Sequence, residues 1–129
     1  LGISNCYNIE VLSQLYADAN VKPAVVQNRF YRETGYDADL RNWCSDHRVI
    51  YQSFWTLSAN PHILGSNVVQ AMARNYDKTE AQIFFRYLIH SGIVPLTGTR
   101  SEQHMREALG IFDFELSSDD LKNVSRLLN

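Results

Sequence analysis

The sequence has few of the residues that mark secreted, membrane or nucleic-acid-binding proteins. Its only cysteines are Cys6 and Cys44, and because they have neither metal-ligand nor redox spacing, we expect a reducing cytoplasm. The 12 basic and 14 acidic residues give a net charge of -2, which gives no reason to expect nucleic acid or an anionic membrane as a partner. No apolar run approaches the roughly 20 residues that cross a bilayer.

The composition is that of an ordinary globular domain. The 129 residues are 45% hydrophobic and 20% charged, and a chain of this length can bury roughly two thirds of its unfolded surface in one core. The sequence contains no repeat, linker or low-complexity tract. It therefore predicts one domain over residues 1–129.

Short apolar runs alternate with helical patterns along the chain. The predicted strands are LGISN, PAVVQNRF, VIYQSF and IVPLTG. One predicted helix places Leu40, Trp43 and Cys44 on a single face, with Asp37 as its expected N-cap. The order β-α-β-α-β-α-α-β-α-α favours an α/β fold with a parallel sheet and crossover helices.

Each predicted strand becomes polar at its C-terminal end, the edge at which α/β folds bind ligands. Amides and hydroxyls hydrogen-bond a polar heterocycle, and an aromatic face stacks on it, so these strand ends predict a site for a planar polar ring. The alternative is that the same residues only begin loops and cap helices. The four ends are Ser4-Asn5, Gln27-Asn28, Ser53-Phe54-Trp55 and Thr97-Gly98-Thr99.

Four stretches resemble one known family and cover essentially the whole chain in order: GISN, PAVVQNRF, KTEAQIFFRYLIHSGIVPLTGT and IFDFELSSDDL. They are similar to the second half of an aldo-keto reductase, a (β/α)₈ barrel that reduces carbonyls with NADPH. Because such a barrel needs about 250 residues, the resemblance implies a half-barrel that corresponds to strands five to eight with their helices. The chain opens at Leu1, inside a predicted strand, so we expect its upstream part to be missing, processed or never present.

The resemblance assigns nicotinamide-binding roles to four residues. Ser4, Asn5 and Gln27 match positions that hydrogen-bond the nicotinamide carboxamide. Phe54 falls where the family usually has a tyrosine that stacks on the nicotinamide ring, and the loss of the hydroxyl leaves the stacking face intact.

The resemblance is mixed at the phosphate end of the cofactor. Trp55 and Leu57 fall in the loop beside the pyrophosphate. The family commonly has a lysine directly after the proline, but this chain has Leu96, and a family arginine and asparagine fall at His104 and Ala108. The expected cofactor is therefore NADP, with NAD as the alternative, and no metal is expected.

The stretch TGTRSE offers another way to bind an anion. Arg100 lies in the turn before a predicted helix N-terminus, where an anion is stabilised. Thr97, Thr99 and Ser101 can donate hydrogen bonds to phosphate oxygens. The alternative is a capped helix start, Thr99 with Glu102, beside a solvated arginine.

The catalytic Asp, Tyr, Lys and His of the family belong to the other half of the barrel, and the seven tyrosines and four histidines of this chain fall outside that context. The chain lacks the proton donor that carbonyl reduction needs, and we expect it to be inactive without an N-terminal half. It is interpreted as part of an NAD(P)H-dependent aldo-keto reductase that reduces aldehydes and ketones. The alternatives are an inactive nucleotide- or protein-binding module and a self-associating half-barrel.

An open half-barrel also predicts a partner. Ile3, Val26 and Ile50 are expected to line the uncovered inner face if strand alternation points them inward. Such an apolar face predicts either the missing N-terminal half or a second copy of the chain as its partner.

Overall fold

The computed structural model describes residues 1–128, and four short strands in it form one parallel sheet. The strands lie side by side in chain order, with Gly2 paired with Val25 and Val25 paired with Ile50. This confirms the predicted parallel α/β architecture. The strands are β1 (Gly2–Ser4), β2 (Val25–Arg29), β3 (Ile50–Phe54) and β4 (Ile93–Pro95).

Helices connect these strands and pack against one side of the sheet. Two 3₁₀ segments, Arg32–Asp37 and Gly110–Asp113, precede or follow α-helices. The α-helices are α1 (Ile9–Asp18), α2 (Ala38–Asp46), α3 (Pro61–Leu64), α4 (Asn67–Tyr76), α5 (Glu80–His90), α6 (Glu102–Leu109) and α7 (Ser118–Arg126). None of them is long and apolar enough to cross a membrane over the residues that the structure describes.

The central helix α5 shows why the local sequence folds as it does. The Thr79 hydroxyl accepts a hydrogen bond from the Gln82 N–H, and the Gln82 side chain accepts one from the Thr79 N–H. This capping box satisfies two N–H groups that a helix start leaves free. The helix then buries Ile83, Phe84 and Leu88 completely, so it forms the centre of the core.

The two faces of the sheet differ in their exposure to solvent. Val26, Tyr51 and Ile93 point to the helix side and are at most 3% exposed. The opposite side, called the open face below, carries Ile50 and Val94, which are 49% and 39% exposed. A parallel sheet covered on one side only is unusual, because both faces are normally buried under helices.

The predicted inner face was therefore correct for Ile50 and wrong for two residues. Val26 is fully buried on the helix side, and Ile3, its partner in the ladder, is half-buried and packs against the same core. The physical reason is strand alternation: Val25 and Gln27 share the open face, so Val26 between them points to the helices. The expectation for Val26 was thus inconsistent with the ligand role expected of Gln27.

Two local predictions also need correction. Asp37 occupies the N-cap position of α2, but its side chain makes no capping hydrogen bond, because its carboxylate is held inside the fold instead. At α6 the N-cap is Ser101, which accepts a hydrogen bond from the His104 N–H. Thr99 accepts one from the Ser101 N–H and so shapes the turn before the helix.

Candidate functional site

The carboxyl ends of the strands bring three of the predicted ligand residues onto the open face. Ser4 is paired with Gln27 in the ladder between β1 and β2, so both side chains point to the same side. Phe54 lies two residues further along, on β3, and is paired with Arg29. Hydroxyl, amide and aromatic ring thus share one face at one edge of the sheet.

Two other polar strand-end residues, Asn28 and Ser53, have structural roles. Asn28 and Ser53 are fully buried and alternate with the open-face residues, so they point toward the helices. Ser53 forms a hydrogen bond of 2.8 Å with the Thr56 hydroxyl. The alternative reading of these two residues as structural is therefore correct.

The amide of Gln27 is held in one orientation. Its Nε2 donates a hydrogen bond of 3.0 Å to Oε1 of Gln52 on the adjacent strand. This leaves its Oε1 without a donor among residues 1–128. A ligand amide can therefore donate to Gln27 without competing for the hydrogen bond that orients it.

A tyrosine links the ends of β1 and β2. The Tyr7 hydroxyl donates a 2.9 Å hydrogen bond to Oδ1 of Asn5 and accepts one of 2.9 Å from the Arg29 N–H. Asn5 has a φ of 57°, a left-handed conformation that asparagine tolerates better than most residues. The bond to Tyr7 fixes the Asn5 amide directly after the end of β1.

Arg29 is a charged residue of the open face that the sequence did not single out. Its guanidinium lies 4.1 Å from the ring centre of Trp55 and 5.2 Å from that of Tyr31. Arg29 follows Gln27 by two residues on a strand, so period-2 alternation could have assigned it to the same face. The stack on Trp55 had no sequence signal, because it depends on the φ of 55° at Trp55.

The loop after β3 is held in place by a buried side chain, Asn60. The fully buried Asn60 donates hydrogen bonds of 2.7 Å to the Phe30 carbonyl and 2.9 Å to the Thr56 carbonyl. These bonds tie the loop to the end of β2. They hold Trp55, which is exposed, and Leu57, which is half-buried, beside the open face.

A cavity of about 450 Å³ lies between this loop, the start of α5 and α6. Four predicted phosphate-end residues line it: Leu57, Thr97, Thr99 and His104. Its volume is in the usual range for small-molecule sites, roughly 300–1,000 Å³. Arg100 lies in the same turn but is exposed and does not line the cavity.

Two acidic residues and an aromatic residue also line the cavity. Glu80, Glu107 and Phe85 line the cavity, and none of them was singled out from the sequence. Gln82 donates a 2.9 Å hydrogen bond to the Glu107 carbonyl, which fixes α6 against α5. Among the described residues, no Lys or Arg lines this cavity.

A buried polar network lies under the sheet. Asn28 exchanges two hydrogen bonds with the Cys6 backbone and donates a third, of 3.0 Å, to Oδ2 of Asp37. Tyr51 donates a bond of 2.6 Å to the same oxygen. Burial raises the pKa of the Asp37 carboxyl, and the hydrogen bonds from Tyr51 and Asn28 oppose that shift. This network fixes the loop after β1 to β2 and β3.

The sequence profile of the Aldo/keto reductase family matches residues 62–129. The chain belongs to the aldo-keto reductase family. It is 28% identical over 127 residues to the glyoxal reductase of Bacillus subtilis, an alignment that covers 98% of this chain and 45% of that relative. This aldo-keto reductase chain thus spans about half the length of the curated relatives that it matches.

Solved structures have the same fold. An aldo-keto reductase from Brucella melitensis superimposes with a TM-score of 0.84 at 23% identity, over 99% of this chain and 48% of the other. The silkworm (Bombyx mori) aldo-keto reductase AKR2E5, crystallised with NADPH, superimposes with a TM-score of 0.82 at 28% identity, over 97% and 41%. The aldo-keto reductase chain therefore has the architecture of half of a (β/α)₈ barrel.

The open face carries polar groups and an aromatic ring at the carboxyl ends of its strands. The Ser4 hydroxyl and the acceptor oxygen of Gln27 can hydrogen-bond an amide, and the half-buried Phe54 offers a ring face for stacking. No group of three or more His, Cys, Asp or Glu in the described part of the chain could hold a metal. This face of the aldo-keto reductase chain can therefore bind a planar polar ligand.

Proposed function

We propose that this chain is part of an NAD(P)H-dependent aldo-keto reductase that reduces aldehydes and ketones to alcohols. The observation that supports it best is the shared orientation of Ser4, Gln27 and Phe54 at the carboxyl ends of adjacent parallel strands. A bound cofactor would supply the hydride. The proposal treats residues 1–129 as a single aldo-keto reductase domain in the cytoplasm, where the two free cysteines stay reduced.

The proposed residue roles follow the geometry of the open face. Ser4, Asn5 and Gln27 bind and orient the carboxamide, and Phe54 stacks on the ring. The Gln27–Gln52 bond preorganises the acceptor, which lowers the ordering cost of binding.

The phosphate end of the proposed cofactor lies in the cavity beside α6. Thr97, Thr99 and His104 donate hydrogen bonds there, and Leu57 and Trp55 flank the pyrophosphate. Arg100, exposed in the same turn, approaches the phosphate from the rim. The donors suit phosphate oxygens, and either NADP or NAD is a candidate because the described residues of the lining include Glu80 and Glu107 but no Lys or Arg.

The chain needs a second part for catalysis in this proposal. Carbonyl reduction needs an acid beside the carbonyl oxygen, and the open face offers Gln27, Gln52 and Phe54, none of which is an acid at neutral pH. The missing partner is an N-terminal half-barrel or a second copy of the chain. Ile50 and Val94, both well exposed on the open face, favour such a cover.

Cofactor titration tests the binding half of the proposal. NADPH and NADH are titrated into the chain and followed by tryptophan fluorescence and calorimetry, with Gln27→Ala as the test variant. Gln14→Ala is the matched control, since Gln14 bonds only Asp18 on the exposed side of α1. We expect binding that weakens about tenfold in Gln27→Ala alone. No binding of either cofactor by the wild type would contradict the proposal.

The exposed apolar groups of the open face support two other candidates. One is a catalytically inactive module that binds a nucleotide or a protein, and the other is a half-barrel that self-associates. Trp55 is 56% exposed and Leu96 is 37% exposed at the same edge. Sedimentation velocity tests self-association, because a monomer at every concentration would exclude it. Cofactor binding without turnover by this chain is expected under both proposals, so the inactive module is favoured only if turnover stays absent after the chain is joined to an N-terminal aldo-keto reductase half.

A further inference from the structure

We propose that Arg29 binds an anionic group of a ligand on the open face, namely a carboxylate or phosphate oxyanion. The inference rests on the proposed function only for the identity of the other ligand groups that would bind the open face. The anion site itself is argued from the surroundings of this one side chain.

Arg29 lies where a ligand of the open face would reach it. It is the last residue of β2, on the same face as Gln27, and it is paired in the ladder with Phe54. The carboxyl ends of parallel strands are where α/β folds bind ligands. A cation is therefore placed beside the amide and the ring that form the rest of the site.

The guanidinium is held by contacts that leave its N–H donors free. Trp55 lies 4.1 Å from it and Tyr31 lies 5.2 Å from it, measured to the ring centres. Stacking on aromatic faces orients an arginine without using its N–H donors. The rings thus aim the plane of the guanidinium and leave its terminal edge for a ligand.

The donors of this side chain have no partner in the fold. The Nε atom is buried and makes no hydrogen bond, and the terminal nitrogens make none to residues 1–128. The described ion pairs are Arg86–Glu115 and Arg106–Glu102, so no carboxylate of the described chain lies within ion-pair distance of Arg29. An arginine held this firmly with an unfilled terminal edge is the arrangement of a bidentate oxyanion site.

Two ligands can supply the oxyanion. A carbonyl substrate that carries a carboxylate would place it next to the reacting group, and the cofactor pyrophosphate would approach along the loop that holds Trp55. The recognition chemistry is the same, so the experiment uses one probe for each source.

The test is an NMR titration of the full chain. The buried Nε–H of Arg29 gives a ¹⁵N–¹H resonance that Arg29→Met assigns by its disappearance. Pyruvate probes the carboxylate source and ADP-ribose probes the pyrophosphate source, each against sodium chloride at matched ionic strength. Arg74→Met is the control variant, because Arg74 is an exposed residue of α4.

We expect a saturable shift of the Arg29 Nε–H with at least one probe, absent with chloride. Affinity for that probe, measured by calorimetry, should fall at least tenfold in Arg29→Met and stay unchanged in Arg74→Met. A response to pyruvate alone assigns the site to the substrate, and a response to ADP-ribose alone assigns it to the cofactor.

No saturable shift with either probe would overturn the proposal. That result is expected if an acidic side chain outside residues 1–128 already pairs with Arg29. Because the shift is measured on the wild type, the test holds even if Arg29→Met folds poorly. Cofactor binding with an unresponsive Arg29 would refute this inference alone and leave the proposed function standing.

Discussion

Removing one hydroxyl from the buried network should destabilise the fold in a pH-dependent way. Tyr51→Phe deletes the 2.6 Å hydrogen bond to Oδ2 of Asp37 and leaves the ring in place. A hydrogen bond to a charged group contributes about 1.5–3 kcal/mol, a large share of the roughly 5–15 kcal/mol that stabilises a small domain. With a urea m-value of about 1–3 kcal/mol/M, the unfolding midpoint should fall by about 1 M at pH 7.

The pH dependence follows from the raised pKa of Asp37. An acid whose pKa is raised by folding contributes its full stability below its unfolded pKa, about 3.9 for Asp, and loses it as pH rises through the folded value. Tyr51→Phe removes a donor that lowers the Asp37 pKa, so the loss should be largest at pH 7. At pH 4 it should shrink toward the 0.5–1.5 kcal/mol of a neutral hydrogen bond.

The assay is urea unfolding followed by circular dichroism at pH 7 and pH 4. Tyr87→Phe is the matched control, because Tyr87 is also buried and its hydroxyl makes no hydrogen bond within residues 1–128. The difference in unfolding free energy between variant and wild type cancels the contributions of the other carboxyl groups to the pH dependence. An equal loss at both pH values, or a loss no larger than that of Tyr87→Phe, would refute the reasoning.

Four further predictions concern single side chains. Arg100→Ala should weaken NADPH binding several-fold and leave NADH binding unchanged, measured by calorimetry; equal effects on both would remove its anion role. Phe84→Ala should cost about 3–5 kcal/mol in urea unfolding, because the ring is fully buried; a loss below 1 kcal/mol would contradict its central position. Thr79→Ala should cost about 1 kcal/mol through the capping box, whereas Thr34→Ala should cost less. Burial and the Asp37 charge raise the pKa of the Cys44 thiol to about 11. A disulfide reagent at pH 8 should therefore label Cys44 far more slowly in the folded protein than in the unfolded one, and equal labelling rates would contradict the raised pKa.

The sequence was sufficient to predict the parallel sheet and much of the open face. Gln27 and Phe54 follow apolar strand runs, and period 2 fixes which of their neighbours share a face. The orientation of Val26 was predictable in the same way, because Val26 is adjacent to Gln27 and must point to the opposite face. The expectation that both face inward broke this rule.

Long-range polar contacts explain the remaining differences. Asp37 has the local sequence of an N-cap, but its carboxylate receives hydrogen bonds from Asn28 and Tyr51, which lie 9 and 14 residues away. Local propensity cannot weigh such tertiary bonds. The contact between Arg29 and Trp55 escaped prediction for the same reason, because it requires the fold and an uncommon backbone conformation together.

The left-handed backbone at Asn5 and Trp55 is strained, and the side chains at these two positions make contacts that glycine could not replace. Both residues have positive φ values, 57° and 55°, where glycine is the least strained choice. Glycine at either position would relieve that strain, but it would also delete a contact that the fold makes, the Tyr7–Asn5 hydrogen bond or the Arg29–Trp55 stack. The order that these two contacts give to the strand ends is thus maintained at the expense of backbone strain.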